Sequence, residues 1–182
     1  MATNTHAADW HAIWTAGVEQ GTGFDVGGTH KALAEMEPTL PLGRALVPGC
    51  GRGYDVAALA QPLRKVTGLE LSPEAATRAG EYLARVAAEE LLKVNQMEVL
   101  VADFFEYKAQ PYDLVYDYTF LCAIRPERRE EWSTQMARLL RPGGKLVCLM
   151  FPLGHYGLTH PAGEPIDWTK GPPFMLSRSS RV

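Results

Sequence analysis

Cysteine is scarce in this chain: Cys50, Cys122 and Cys148 stand far apart with no CxxC pair, which excludes a disulfide framework and a thiolate zinc site. Cys122 and Cys148 lie in apolar runs and read as reduced core filler; Cys50, between two glycines, reads as a small packing residue. Positive charge is also short. The formal net charge is −3 and no Lys/Arg block exceeds a pair, so no field gathers phosphates and nucleic acid is not an expected partner. No run of about 18 apolar residues occurs, and Met1–Asp9 lacks the basic start and apolar core of a leader, so no membrane is expected and a cytoplasmic location is the default. The histidines His6, His11, His30, His155 and His160 show no metal-ligand spacing, and no compact acidic cluster marks a magnesium site; no metal is expected.

What is present is ordinary globular composition, 46% hydrophobic and 21% charged over 182 residues, enough for one well-filled core and too little for two. The chain therefore reads as a single domain, 1–182. From residue 44 onward, strand-length apolar runs alternate with helix-period segments, the pattern of a parallel sheet covered on both faces. The runs are Arg44–Val47, Val66–Leu71, Glu98–Ala102, Leu114–Tyr118 and Lys145–Phe151. Helices are predicted over Tyr54–Leu63, from Ser72 to about Leu92, and from about Pro126 to Leu140. Ser72-Pro73-Glu74 supplies a cap, a first-turn proline and an acid at the positive dipole end, and Arg141-Pro142-Gly143-Gly144 supplies a stop before the fifth strand. Residues 1–40 read as a helical cap, 44–151 as the α/β core, and 152–182 as a Gly/Pro-rich tail.

The first strand runs into Pro48-Gly49-Cys50-Gly51-Arg52-Gly53-Tyr54-Asp55. Glycines at 49, 51 and 53 let the backbone turn tightly and approach a ligand at the carboxyl edge of the sheet. A dinucleotide fingerprint needs glycine or alanine at position 54, where this chain has Tyr54, so a nucleoside cofactor without a pyrophosphate fits better than NAD. Glu70 ends the second strand about twenty residues later, where a carboxylate accepts from ribose hydroxyls. Asp103-Phe104-Phe105 follows the third strand, placing a carboxylate for an adenine amino group and an aromatic for its ring.

With these segments in place, the chain resembles the thiopurine methyltransferase-like class I methyltransferases, and within them the thiol/halide branch. The matching runs are Trp10-x-x-x-Trp14, Gly23-Phe24-Asp25-x-Gly27, Leu46 to Asp55, Gly68-Leu69-Glu70-Leu71-Ser72, Ala102 to Phe105, Tyr112 to Ile124, Leu140 to Gly144, Met150-Phe151-Pro152 and Gly171-Pro172-Pro173-Phe174. The resemblance implies a Rossmann-like doubly wound α/β sheet of order 3-2-1-4-5, S-adenosyl-L-methionine as cofactor, and a small thiol or halide-like anion as acceptor. It implies that Trp10, Trp14 and Phe24 close over the cofactor, Gly49 meets its methionine part, Glu70 the ribose, Asp103 and Phe104 the adenine, and Tyr118 the sulfonium region, as the catalytic position. Aromatic faces suit a sulfonium because they stabilise a soft cation without offering a nucleophile.

Phe24 stands where the family has tryptophan, and Phe174 where it has tyrosine. The family continues past Gly-Pro-Pro into a helix and an antiparallel strand pair, so the resemblance implies that this final pair is missing. Soft anions need no general base, which agrees with the lack of a catalytic dyad. A larger thiol, amine or hydroxyl acceptor, and a shortened inactive form, are the alternative readings. Asp117, in an apolar strand, must be paired or at the wet end of the strand, and the wet end beside the sulfonium is the expectation. Arg125 and Arg128-Arg129 read either as an attractor for an anion or as a solvated helix face. His155 and Tyr156 follow the fifth strand on the acceptor side. A monomer is expected.

Overall fold

Alternation of apolar runs with amphipathic segments produces a sheet with helices on both faces. The structure, a computed structural model, describes residues 5–93, 95–153 and 172–176. Strands β1 (Gly43–Pro48), β2 (Arg64–Glu70), β3 (Met97–Val101), β4 (Tyr112–Tyr118) and β5 (Leu140–Leu149) form one sheet in the order β3-β2-β1-β4-β5, every neighbouring pair parallel. This is the 3-2-1-4-5 order that the family resemblance implies. The winding reverses between β1 and β4, which makes the space above their carboxyl ends the switch point where open α/β sheets take ligands.

The helices are α1 (Thr5–Ala16), α2 (Lys31–Met36), α3 (Tyr54–Leu59), α4 (Pro73–Glu89) and α5 (Arg129–Leu139). Successive residues of a strand serve opposite faces. From β1, Ala45 and Val47 join Val56 and Leu59 of α3 and Leu83 of α4; Leu46 joins Trp132, Met136 and Leu139 of α5 on the other side. Each fully buried side chain of this size contributes roughly 1.5–3 kcal/mol, so the two faces together hold the helices to the sheet. The opposite end of the sheet is closed by Arg64, whose guanidinium donates to the carbonyls of Pro41 (2.7 Å), Leu40 (2.9 Å) and Leu59 (3.0 Å) and pairs with Glu37.

Several element ends differ from the sequence reading, each for a local reason. The third helix stops at Leu59 rather than residue 63, because Pro62 drives the residue before it out of helical space. The fourth is capped by the Ser72 hydroxyl on the Ala75 amide and leaves the helix at Glu90, with a single 3-10 turn, Leu91–Lys93, in place of the expected last turn. The fifth begins at Arg129, preceded by a 3-10 turn at Pro126–Arg128. β5 starts earlier than expected, at Leu140: pairing with β4 jumps from Tyr112–Leu140 to Leu114–Lys145, so the Arg141–Gly144 turn bulges out of a strand rather than preceding one. Among the described residues the sheet has five strands and no antiparallel pair. No helix among them is long and apolar enough to cross a membrane.

Candidate functional site

Above the carboxyl ends of the strands lies a cleft of about 900 Å³. Its floor is the turn after β1. Gly49 holds φ +59°, and a Cβ there would lie 2.5 Å from Cδ2 of Phe120, so the close approach of turn and ring depends on a missing side chain. Gly51 also borders the cleft. Gly53 does not; it takes φ +81° as the N-cap of α3 and backs onto Ala79 and Leu83, so its role is to seat the helix.

Glu70 ends β2 directly beside this turn and is 6% exposed. Its Oε1 accepts from the amides of Leu71 (2.9 Å) and Ser72 (3.1 Å), and Oε2 accepts from Gly51 (3.0 Å). Burial raises its pKa despite these three donors. A carboxylate offers about four lone-pair directions, so the backbone takes three and leaves one on Oε2 for the cleft. The sequence reading gave Glu70 ribose hydroxyls in the plural; the structure leaves room for one at full strength.

From β3, Asp103 and Phe104 reach the same cleft. Asp103 Oδ1 accepts from the Phe105 amide at 2.9 Å, which closes the turn and fixes the carboxylate. Phe104 stands edge-to-face against Phe120, centroids 5.0 Å apart. Tyr118, at the end of β4, lines the cleft with its ring 5.4 Å from that of His30, whose Nδ1 caps α2 by accepting from Ala32. The next residue, Thr119, holds φ +63°. A β-branched residue there is an outlier of the strained kind that clusters at functional sites, and the sequence carried no sign of it.

Trp10, Trp14 and Phe24 meet over one side of the cleft. Phe24 stands edge-on to both tryptophans, at 5.4 and 5.7 Å, and is 43% exposed, while Trp14 is buried. The guanidinium groups of Arg52 and Arg78 lie 5.7 and 5.9 Å from the Trp14 ring and both donate to the Val18 carbonyl. Asp25 locks this cap to the glycine turn. Its carboxylate pairs with Arg52 and accepts from the Tyr54 hydroxyl (3.1 Å) and the Gly27 amide (3.0 Å). Burial and the adjacent Asp25 charge push Tyr54 up to about 12, so its phenol stays a donor. The tyrosine that spoils the dinucleotide fingerprint thus has a structural duty, and Asp25 is its partner.

Asp117 overturns the wet-end expectation. It is 1% exposed, accepting from the Leu121 amide (3.0 Å) and from Nε1 of Trp132 (2.9 Å). Burial raises its pKa to about 6. It is the paired alternative: a strut that ties the end of β4 to α5 and to the 3-10 turn at Leu121–Ala123. Arg128 does border the cleft, its guanidinium 3.7 Å from the centre of the Phe105 ring and paired with Glu131 at 2.7 Å. Arg129 instead donates to the Met175 carbonyl at 3.0 Å. Phe174 is buried in the core, its amide bonded to the Cys122 carbonyl at 2.7 Å, while Pro172 and Pro173 face the cleft. His155, Tyr156 and Gly171 lie outside the described residues.

Nine of the ten expected cofactor-side residues, all but Gly53, therefore border one cleft. Residues 5–179 match the thiopurine S-methyltransferase family. The chain is 37% identical to probable thiol methyltransferase 2 of Arabidopsis thaliana over 98% of its own length and 72% of the relative's. It is also 37% identical to thiocyanate methyltransferase 1 of the same plant, over 94% and 68%. Among solved structures, the glycopeptide N-methyltransferase MtfA complexed with S-adenosyl-L-methionine superposes with a TM-score of 0.55 at 21% identity, over 65% of this chain and 52% of that one, which shows a shared fold.

Proposed function

The chain belongs to the thiopurine S-methyltransferase family, and from that premise we propose that it moves the methyl group of S-adenosylmethionine to a small soft nucleophile: a thiol, bisulfide, thiocyanate or halide. The observation that carries the reading is convergence. Glu70, Asp103 with Phe104, and the glycine turn leave three different strands and border a single cleft under an aromatic cap.

The cleft fits the cofactor on its own geometry. Gly49 lets the turn lie against the Phe120 ring, where a Cβ would clash, and beside it Glu70 Oε2 has only the Gly51 amide as partner. Glu70 would hold a ribose hydroxyl, Asp103 the adenine amino group, and Phe104 the ring, while Trp10, Trp14, Phe24 and Tyr118 surround the methionine side. The bound cofactor supplies an activated methyl on a sulfonium. The chain supplies position and dryness: aromatic walls exclude water and hold the acceptor in line, which accounts for a large part of the rate in a displacement that needs no proton transfer. On the acceptor side, Phe120, Ile124, Phe151, Pro172 and Pro173 present apolar surface, which suits a weakly hydrated anion. The same reading has the enzyme act in the cytoplasm as a monomer, on free small molecules rather than nucleic acid, in keeping with its net charge of −3.

The test is calorimetric titration with S-adenosylhomocysteine followed by gas-chromatographic assay of methylated product from bisulfide, thiocyanate and iodide. Saturable binding with turnover of at least one of these is expected. Binding without turnover of any, alongside turnover of larger thiols, would reject the small-acceptor reading.

A further inference from the structure

The cleft contains a carboxylate with no counter-charge. Asp55, in the first turn of α3, borders it, and its Oδ1 is sealed from solvent with no hydrogen-bond partner. The Tyr116 hydroxyl, behind it in β4, likewise lacks a partner. The Thr29 hydroxyl, which also reaches the Tyr54 carbonyl at 3.1 Å, hydrogen-bonds the Asp55 carboxylate, but this neutral partner offsets only part of the burial penalty that lifts the carboxyl to about 6. Near neutral pH the group is still ionised. Its neighbours supply no positive charge: Tyr116, Tyr118 and Cys50 all feel it as a negative one. Arg52 is engaged by Asp25, and Arg78 by Glu74 at 2.9 Å. Asp55 is half-buried, and a partly desolvated anion with no cation beside it carries a cost that a cationic ligand group relieves.

We propose that Asp55 receives the α-ammonium group at the methionine end of S-adenosylmethionine. This rests on the methyl-transfer reading and adds a residue and a contact to it. The donor carries two positive centres, and the physics of the reaction chooses between them. The sulfonium loses its charge as the methyl departs, so a carboxylate against it would stabilise the ground state more than the transition state and slow transfer. The ammonium keeps its charge throughout, so a carboxylate there strengthens binding of donor and product alike without raising the barrier. Asp55 also sits two residues past Gly53, at the far end of the glycine turn, where its charge acts on Cys50 and on Tyr118, the latter placed on the methionine side.

The experiment compares wild type and Asp55→Asn with two ligands, S-adenosylhomocysteine and its deaminated analogue, which keeps the carboxylate and loses only the ammonium. A hydrogen-bonded charge contact predicts a loss of about 10- to 150-fold for S-adenosylhomocysteine in the variant. For the analogue, the variant should match wild type within about twofold or bind tighter, as a double-mutant cycle requires. The apo variant should melt at or above the wild-type temperature, since a half-buried charge with no cation beside it has been removed. Equal losses for both ligands, or no loss for either, would overturn the assignment, and equal losses with a lower melting temperature would make Asp55 structural. Failure of wild type to bind S-adenosylhomocysteine is a separate outcome, which rejects the methyl-transfer reading and the Asp55 contact with it.

Discussion

Replacing Glu70 by glutamine separates the structural and ligand-binding duties of one side chain. In wild type the carboxylate holds three backbone amides, at 2.9, 3.1 and 3.0 Å. A glutamine retains one acceptor oxygen, which stays on the Leu71 and Ser72 amides, and turns its NH2 toward the Gly51 amide. One buried donor then loses its acceptor, at about 1–3 kcal/mol. The neutral side chain also escapes the burial penalty that raises the Glu70 pKa, which returns part of that loss. The net expectation is about 1–2 kcal/mol, or a fall of roughly 2–8 °C in melting temperature for a chain of this size. Ligand binding should suffer more, because the ribose hydroxyl loses its only charged acceptor: about 10- to 150-fold in affinity for S-adenosylhomocysteine. Thermal melts of the apo proteins and calorimetric titrations below the melting range give the two numbers independently. Affinity within twofold of wild type would refute the ribose assignment. A stability loss above about 5 kcal/mol would show instead that the glycine turn collapses without the carboxylate.

Gly49→Ala combines a left-handed backbone with a 2.5 Å approach to Phe120; it should cost about 1–3 kcal/mol and abolish measurable S-adenosylhomocysteine binding, and a variant that titrates like wild type would show that the turn has slack. Trp132→Phe leaves Asp117 Oδ2 buried without its indole donor, so urea denaturation should show a loss of about 2–4 kcal/mol, whereas less than 1 kcal/mol would mean that the strut is dispensable. The sign of the pH effect follows from the raised pKa of Asp117, about 6 against 3.8. The folded state holds the proton over a window in which the unfolded state releases it, so stability from this group is fullest below about pH 4 and is lost as pH rises through 6. Relative to Asp117→Asn, which does not titrate there, wild type should therefore lose on the order of 2 kcal/mol between pH 4 and pH 6.5; a constant difference across that range would contradict the buried, raised carboxylate.

The parallel sheet and several of the site positions were legible because they are written in local patterns, while the strand order came through the family resemblance. Apolar strand-length runs separated by helix-period segments fix a parallel sheet, and in such a sheet the residues at strand ends must meet at the carboxyl edge. Gly49, Glu70 and Asp103 could thus be placed together from their positions, and Tyr118 joined them through the resemblance. Boundaries were less legible where a local signal had two outcomes, as at Arg141–Gly144, which bends β5 instead of preceding it.

Tertiary structure alone decided which polar groups pair. Asp117 finds Trp132 fifteen residues away, and Asp25 finds Arg52 and Tyr54 across the glycine turn. Gly53 faces a helix instead of the cleft, and Asp55 finds the Thr29 hydroxyl but leaves Oδ1 without a donor. No spacing rule encodes such choices. A buried carboxylate takes whichever donor the packing of remote elements brings within about 3 Å, and that distance is set by side-chain volumes between sheet and helices, not by anything adjacent in the chain.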